Sequence, residues 1–262
     1  MKDPHVAALR YRVVLAETVS FDQPPPVERE TEAFRMRLAD GVATFEMVEH
    51  HASEESARRC VQPYLQAWEI DVALRFGGPE ISFEFEGADV IDRSPPPPGA
   101  GQVIHAKAAM AAAGALDATV HVTRRHYPEP PQGFVWCPDV ETMWHRYTGY
   151  LDGRERLTNM AYACLTVLEA SAGGRKKAAE QYGISDRVLR ELGRLTTKIG
   201  DKETARKFTD LDECRPHTRA EEAWIEAAVR ALIRRAGEWA SDSTARLPRL
   251  TKSELPKLSP RS

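Results

Sequence analysis

The chain has 262 residues, of which 42% are hydrophobic and 29% charged, and its formal net charge is −3. These proportions are typical of a globular protein of one or two domains with a sizeable core. The longest run of small apolar residues, Ala108 to Leu116, is too short to span a bilayer, and the N-terminus lacks the apolar core of a signal peptide. We therefore expect a cytoplasmic protein without a membrane segment.

The first elements are predicted to be β-strands. Residues 11–21 place apolar side chains at alternate positions, as a strand does. Asp40-Gly41 then predicts a two-residue hairpin turn, because both central residues of that turn need a positive φ. The resulting register pairs Arg35 with Glu46 on one face. It collects apolar side chains on the other face, namely Phe34, Met36, Leu38, Ala43, Phe45 and Met47.

A helix is predicted after the hairpin. Ser53 is placed to cap it and Gly77-Gly78 to end it, while Pro63 lies inside, where we expect a kink or a break. The apolar stripe of this helix should pack on the apolar face of the hairpin. Residues 81–86 alternate as a further strand, and Val90-Ile91 fit an extension of it beyond a turn.

The middle of the chain is rich in proline. Pro95 to Pro98 predict a loop in polyproline II form, and Pro128 to Pro131 mark the boundary between two halves. Between them, Val103 to Leu116 fit either a strand or a helix, and Thr119 to His126 predict a strand.

The fold class predicted is α+β: an N-terminal antiparallel sheet with one packed helix, followed by an all-α C-terminal helical bundle. We place the mixed domain at residues 1–132 and the helical domain at 133–241. Residues 242–262, which are rich in Ser, Thr, Pro and basic residues, are expected to form a disordered tail.

The densest positive charge lies within residues 171–207, in a stretch with the spacing of a helix-turn-helix. Ala179 is the small residue that lets two helices approach, Gly183 suits the turn, and Leu189 is the apolar residue of the second helix. Ser185 is placed to cap that second helix. The same spacing also suits any tight helix pair, so it predicts the turn more strongly than it predicts DNA binding.

Charge is divided unevenly between the halves. Residues 1–140 hold 13 basic and 21 acidic side chains, whereas residues 141–262 hold 23 and 18. This asymmetry indicates either an anionic partner for the second half or attraction between the halves. The side chains that we expect to bind a partner, protein or nucleic acid, are Arg175, Lys176, Lys177, Arg187, Arg190, Arg194 and Lys198.

No sequence pattern for catalysis, a metal or a cofactor is present. The four cysteines are far apart, without a CxxC pair, and GxxxxGK[ST], HExxH and GxSxG are absent. We therefore expect no cofactor, no metal and no catalytic residue that the sequence can identify.

The helix order from Trp144 to Trp239 resembles the HEPN-type helical domains of prokaryotic defence and toxin systems. The resemblance rests on the helix around Tyr162, on residues 188–195, on Gly200-Asp201 with residues 205–207, and on the helix from Trp224 to Arg235. Catalytic members of that family cut RNA with an Arg followed four to six residues later by a His. No His here has an Arg at that distance, so the resemblance implies a non-catalytic binding or dimerising relative.

Three hypotheses follow. The first is a non-catalytic interaction protein. The sequence is also compatible with a homo-oligomer of this protein. The second is a DNA-binding regulator that uses Arg187 and Arg190 at the start of its second helix. The third is an RNA-cutting enzyme whose site is assembled from residues distant in sequence. We favour the first, because every sequence pattern for acid–base or metal chemistry fails.

Overall fold

A computed structural model describes residues 3–94, 122–200 and 212–258 of the chain. The protein is α+β and divides into two compact units. The first unit comprises Met1–Leu65 and Pro79–Glu129, and the second comprises Gln66–Gly78 and Pro130–Ser262. The sequence-based division differs from this one, since it kept residues 66–78 in the first domain.

The first unit is built on β-strands. In chain order these are β1 (Pro4–Leu15), β2 (Val19–Phe21), β3 (Val27–Glu30), β4 (Phe34–Ala39), β5 (Val42–Met47), β6 (Ile81–Asp92) and β7 (Val122–Arg124). Five of them form an antiparallel sheet in the order β3-β4-β5-β1-β6, and β2 pairs in parallel with β7. The predicted N-terminal antiparallel sheet is therefore confirmed.

The hairpin of β4 and β5 has the predicted register. Arg35 lies opposite Glu46, and the turn residues Asp40 and Gly41 have φ values of +51° and +77°. The predicted apolar face is buried throughout, at Phe34, Met36, Leu38, Ala43, Phe45 and Met47. Burying that face fixes the register, because a slip of one residue would turn all six side chains to the opposite side.

Two strands differ from their predicted bounds. The strand expected over residues 11–21 is divided into β1 and β2, because the amide of Val19 turns back to the carbonyl of Ala16 at 2.9 Å. Strand β6 continues from the predicted residues 81–86 to Asp92, so Val90 and Ile91 extend it as expected, but without an intervening turn. The predicted elements at Pro95 to Pro98 and Val103 to Leu116 lie outside the described residues.

Helix α1 (Glu54–Phe76) follows the hairpin. The hydroxyl of Ser53 accepts a hydrogen bond from the amide of Ser56 at 3.2 Å, as a helix cap does. The helix runs on through Pro63, so of the two predicted alternatives, a kink or a break, the break is wrong. Tyr64, in the part of α1 that belongs to the first unit, confirms the predicted packing on the hairpin, since its ring lies 5.2 Å from the ring of Phe34.

The second unit is mainly helical. Its elements are α2 (Pro138–Leu151), α3 (Leu157–Ala172), α4 (Arg175–Gln181), α5 (Asp186–Thr197), β8 (Ile199–Gly200), β9 (Glu213–Cys214), α6 (Arg219–Ser241) and a 3₁₀ turn (Lys252–Glu254). The short strands β8 and β9 pair in parallel, so a purely α-helical second half is not confirmed.

Local signals place the ends of these helices. Gly173 ends α3 with a φ of +75°, and Thr218 caps α6 through reciprocal hydrogen bonds with Glu221. One hydrophobic core joins the helices of the second unit, including side chains from the end of α1, namely Ala67, Ile70 and Leu74.

Residues 242–258, called the C-terminal segment below, depart from the predicted disordered tail. Leu250 and Leu255 are buried in the core of the second unit. Burial of these two leucine side chains, together with main-chain hydrogen bonds to the turn between α4 and α5, offsets the loss of the conformational freedom that a disordered tail would have.

Candidate binding groove

The predicted helix, turn and second helix are all present between residues 175 and 197. Gly183 has a φ of +61°, in the left-handed region that side-chain-bearing residues rarely adopt. Ser185 occupies the position that precedes α5, as predicted, but its hydroxyl makes no capping hydrogen bond. Its carbonyl instead accepts the amide hydrogen of Val188 at 2.8 Å.

The apolar side of α5 faces the core. Four of its side chains, Val188, Leu189, Leu192 and Leu195, are fully buried, as is Ile199 just after the helix. Only the opposite side of the helix can reach a partner, and Arg187 and Arg190 are exposed there.

The seven basic residues predicted to bind a partner separate into two groups. Four form ion pairs: Arg175 with Glu169 (2.5 Å), Arg190 with Asp186 (2.7 Å), Arg194 with Glu191 (2.7 Å) and Lys198 with Asp212 (3.9 Å). The other three, Lys176, Lys177 and Arg187, are exposed and form no ion pair with another described residue. The predicted basic surface is therefore partly neutralised within the protein.

Arg194, one of the residues predicted to bind a partner, is largely covered. Only 24% of its side chain is exposed, and it pairs with Glu191 and, at 3.5 Å, with Glu213. Glu191 also accepts a hydrogen bond from Lys252 of the C-terminal segment at 2.8 Å. Burial alone would raise the pKa of Glu191, but hydrogen bonds from Lys252 and Arg194 lower it below its usual value.

A groove of about 840 Å³ runs along α4, the start of α5, the end of α6 and the C-terminal segment. We call it the basic groove. Its charged lining residues are Lys176, Glu180, Asp186, Arg190, Arg246 and Arg249.

Positive charge prevails in the basic groove. Arg190 and Asp186 neutralise each other, at 2.7 Å. Lys176, Arg246 and Arg249 are exposed and outnumber the remaining carboxylate. A concave surface with an excess of one charge concentrates its electric field and attracts ligands of the opposite charge.

An aromatic side chain adds apolar surface to the groove. Trp239, near the end of α6, is half-buried and lines it. The ring of Tyr182 meets the Trp239 ring edge to face, with centroids 6.3 Å apart. Burial raises the pKa of Tyr182 to about 12, so this supporting phenol is neutral at ordinary pH. The lining thus combines cations with a braced aromatic ring.

The C-terminal segment is attached directly to the α4–α5 turn. The amide of Leu250 donates to the carbonyl of Gly183 at 2.7 Å, and the amide of Ser185 donates to the carbonyl of Leu250 at 2.8 Å. Ile184 and Leu250 form the corresponding parallel β-bridge. A Cβ atom added at Gly183 would lie 2.9 Å from the carbonyl oxygen of Leu247. The segment therefore covers the turn closely.

Sequence reasoning found Lys176 and Arg190 but missed three other groove residues, Trp239, Arg246 and Arg249. The tail carried a usable signal, because Thr251 and Glu254 have the spacing of a capping box, and the amide of Thr251 donates to the Glu254 carboxylate at 2.7 Å. A capped turn with apolar neighbours is a sign of order rather than of a disordered tail.

A smaller cavity of about 240 Å³ includes His217 and Glu222. The Nε2 atom of His217 lies 2.9 Å from the carbonyl oxygen of Leu195, which only accepts, so Nε2 carries the hydrogen. The described lining contains no serine or cysteine to act as a nucleophile. Across the described residues, no three His, Cys, Asp or Glu side chains are grouped to hold a metal ion.

Comparison of the chain with protein-family models, with curated proteins and with solved structures returns no match. The resemblance to HEPN-type domains therefore remains an expectation from helix order. Within the described ranges, every helix is too short or too polar to cross a bilayer.

Proposed function

We propose that this chain is a non-catalytic binding or regulatory protein whose second unit holds an anionic partner in the basic groove. One observation carries the proposal: cations from three separate parts of the chain, Lys176 on α4, Arg190 on α5, and Arg246 with Arg249 in the C-terminal segment, line one concave surface. Such convergence concentrates positive potential where a single partner can meet all of it.

A helix-turn-helix reader of duplex DNA is the second candidate, and the exposure of Arg187 and Arg190 is what favours it. Such a reader inserts the start of its second helix into a major groove about 12 Å wide. Here the turn before α5 is covered by Leu247. This cover favours the basic groove over the exposed side of α5.

The resemblance to HEPN-type domains agrees with a binding role, since this chain lacks the Arg and His spacing of the RNA-cutting members. A partner within a defence-type system is part of the proposal. Either a nucleic acid or an acidic protein would supply the negative charge.

Neighbouring lysines provide a matched test. Lys176 lines the groove, whereas Lys177, the next residue on α4, does not. We would measure the affinity of the purified chain and of the variants Lys176→Gln and Lys177→Gln for labelled oligodeoxythymidylate, duplex DNA and polyglutamate at several salt concentrations. For the single strand, Lys176→Gln should reduce the slope of log affinity against log salt by about 0.7, and Lys177→Gln should leave it unchanged.

A second pair of variants, Arg187→Gln and Arg190→Gln, distinguishes binding in the basic groove from duplex reading by α5. The basic groove requires that Arg190→Gln weakens binding while Arg187→Gln does not, whereas a duplex reader requires both to weaken duplex binding. Equal effects of Lys176→Gln and Lys177→Gln would show that charge alone, rather than the groove, holds the partner. No salt-sensitive binding of any of the three probes would refute the proposal.

A further inference from the structure

Two of the four cations of the basic groove belong to the C-terminal segment. Arg246 and Arg249 line the groove, and neither forms an ion pair with another described residue. Their position depends on how the segment is attached, because they lie just before Leu250, the first of its two buried leucines.

The attachment of the segment is limited. It consists mainly of the buried side chains of Leu250 and Leu255, the partly buried Leu258, the two main-chain hydrogen bonds at the α4–α5 turn, and the ion pair between Lys252 and Glu191. Segments with few buried contacts open locally at a lower free energy than the whole fold. Release of such a segment does not require unfolding of the helices.

We propose that the basic groove is completed by docking of the C-terminal segment, so that docking regulates binding of the partner. The inference rests on the proposed function, since it concerns the same groove. When the segment is released, Arg246 and Arg249 leave the groove. Lys176 then faces Glu180, and Arg190 is neutralised by Asp186, so the excess of positive charge is lost. The coupling is reciprocal, so a bound anion must in turn hold the segment in place.

The first experiment compares two ways of taking the Arg246 and Arg249 charges out of the groove. Arg246→Gln with Arg249→Gln removes the cations and leaves the leucines, whereas Leu250→Ala with Leu255→Ala leaves the cations and weakens docking. Oligodeoxythymidylate is the probe. Each double variant should lower the salt slope by about 1.4, which corresponds to two lost phosphate contacts. Circular dichroism checks that both variants keep their helices.

The second experiment uses the unaltered chain, so it does not depend on the folding of a variant. Hydrogen exchange is measured at the amides of Ser185 and Leu250, which close the bridge to the turn and do not line the groove. With the probe at about ten times its Kd, exchange through release of the segment should slow about tenfold. The amide of Asp152, bonded to Thr148 at the end of α2, is the control and should not change.

The outcomes separate the inference from the function on which it rests. Absence of groove binding by the unaltered chain overturns the proposed function and the inference together. Groove binding whose salt slope is unchanged by the leucine substitutions, or unchanged exchange at Ser185 and Leu250 with the probe bound, overturns the inference alone. Slowed exchange with a slope reduced equally in both double variants supports it.

Discussion

The guanidinium group of Arg215 donates hydrogen bonds to both carboxylate oxygens of Glu221, at 2.7 and 2.8 Å. The same carboxylate accepts the amide hydrogen of Thr218 at 2.9 Å, so one buried side chain holds both the start of α6 and the chain before it. The hydrogen bonds from Arg215 lower the pKa of Glu221 to about 2, although burial opposes them.

This pairing predicts a loss of stability in acid. A carboxyl whose folded pKa lies below its unfolded value of 4.5 contributes stability above pH 4.5, and that contribution is lost as the pH falls towards 2. Glu221→Gln should lower the free energy of unfolding by about 1.5–3 kcal/mol at neutral pH. It should also reduce the loss of stability as the pH falls. Urea unfolding at a series of pH values checks both effects. Exposed Glu222 on the same turn is the control, and an equal effect of Glu222→Gln would contradict the assignment.

Gly183 and Gly153 allow conformational strain to be separated from crowding. Both have positive φ values, +61° and +70°, but a Cβ atom at Gly153 meets nothing within 4 Å, whereas one at Gly183 meets the carbonyl of Leu247 at 2.9 Å. Gly153→Ala should cost about 1–2 kcal/mol from backbone strain alone. Gly183→Ala should cost more and should also speed trypsin cleavage within residues 242–258. Equal unfolding free energies for the two variants would mean that the segment does not press on the turn.

His5 makes the first unit sensitive to pH. Its ring is buried and stacks on that of His50, and its Nδ1 accepts the amide hydrogen of His51 at 3.4 Å. Burial, together with the charges of Arg93, His50 and His51, lowers the pKa of His5 below 6.5, while Asp3 opposes the shift.

The sign of this effect follows from proton binding. Because the folded state binds the proton of His5 less tightly than the unfolded state does, stability is present above pH 6.5 and is lost as the pH falls below it. We expect His5→Asn, whose side-chain oxygen can still accept from His51, to reduce that pH dependence. An NMR titration of the His5 ring, with urea unfolding of both proteins, tests it. A His5 pKa at or above 6.5 would contradict the prediction.

Tyr127 connects the chain after β7 to the hairpin. Its hydroxyl accepts the amide hydrogen of Gly41 at 2.8 Å, and its ring lies 4.8 Å from that of Phe21. Tyr127→Phe keeps the ring contact but leaves the Gly41 amide without this acceptor, at a cost of about 0.5–1.5 kcal/mol. Hydrogen exchange at Gly41 should become faster in the variant. Unchanged exchange there would show that the hydroxyl does not protect the turn.

The local elements were predictable because their signals are local. The hairpin register follows from the Asp40-Gly41 turn and the alternation beside it, and the capping box at Thr218 is contained within four residues. The kink or break expected at Pro63 rested on a single residue. The helix continues through this proline, since proline removes only one main-chain hydrogen bond of many in a helix that is otherwise packed.

The groove was only half predictable, because its charges depend on partners far apart in the sequence. The pairing of Arg190 with Asp186 is visible as an i,i+4 spacing. The pairing of Arg194 with Glu213 and the seating of Leu250 on Gly183 join residues that no local pattern connects. The sequence therefore indicates where the basic stretch lies but not which of its cations form ion pairs within the protein.

Helix α1 belongs to the first unit up to Leu65 and to the second from Gln66, whose core contains Ala67, Ile70 and Leu74. A single cut near residue 132 cannot separate the units, because the C-terminal fragment would lack those three side chains. The N-terminal fragment would carry them as an apolar stripe without its core. During synthesis the same stripe leaves the ribosome before α2 to α6. It therefore stays exposed until those helices have been made and can bury it.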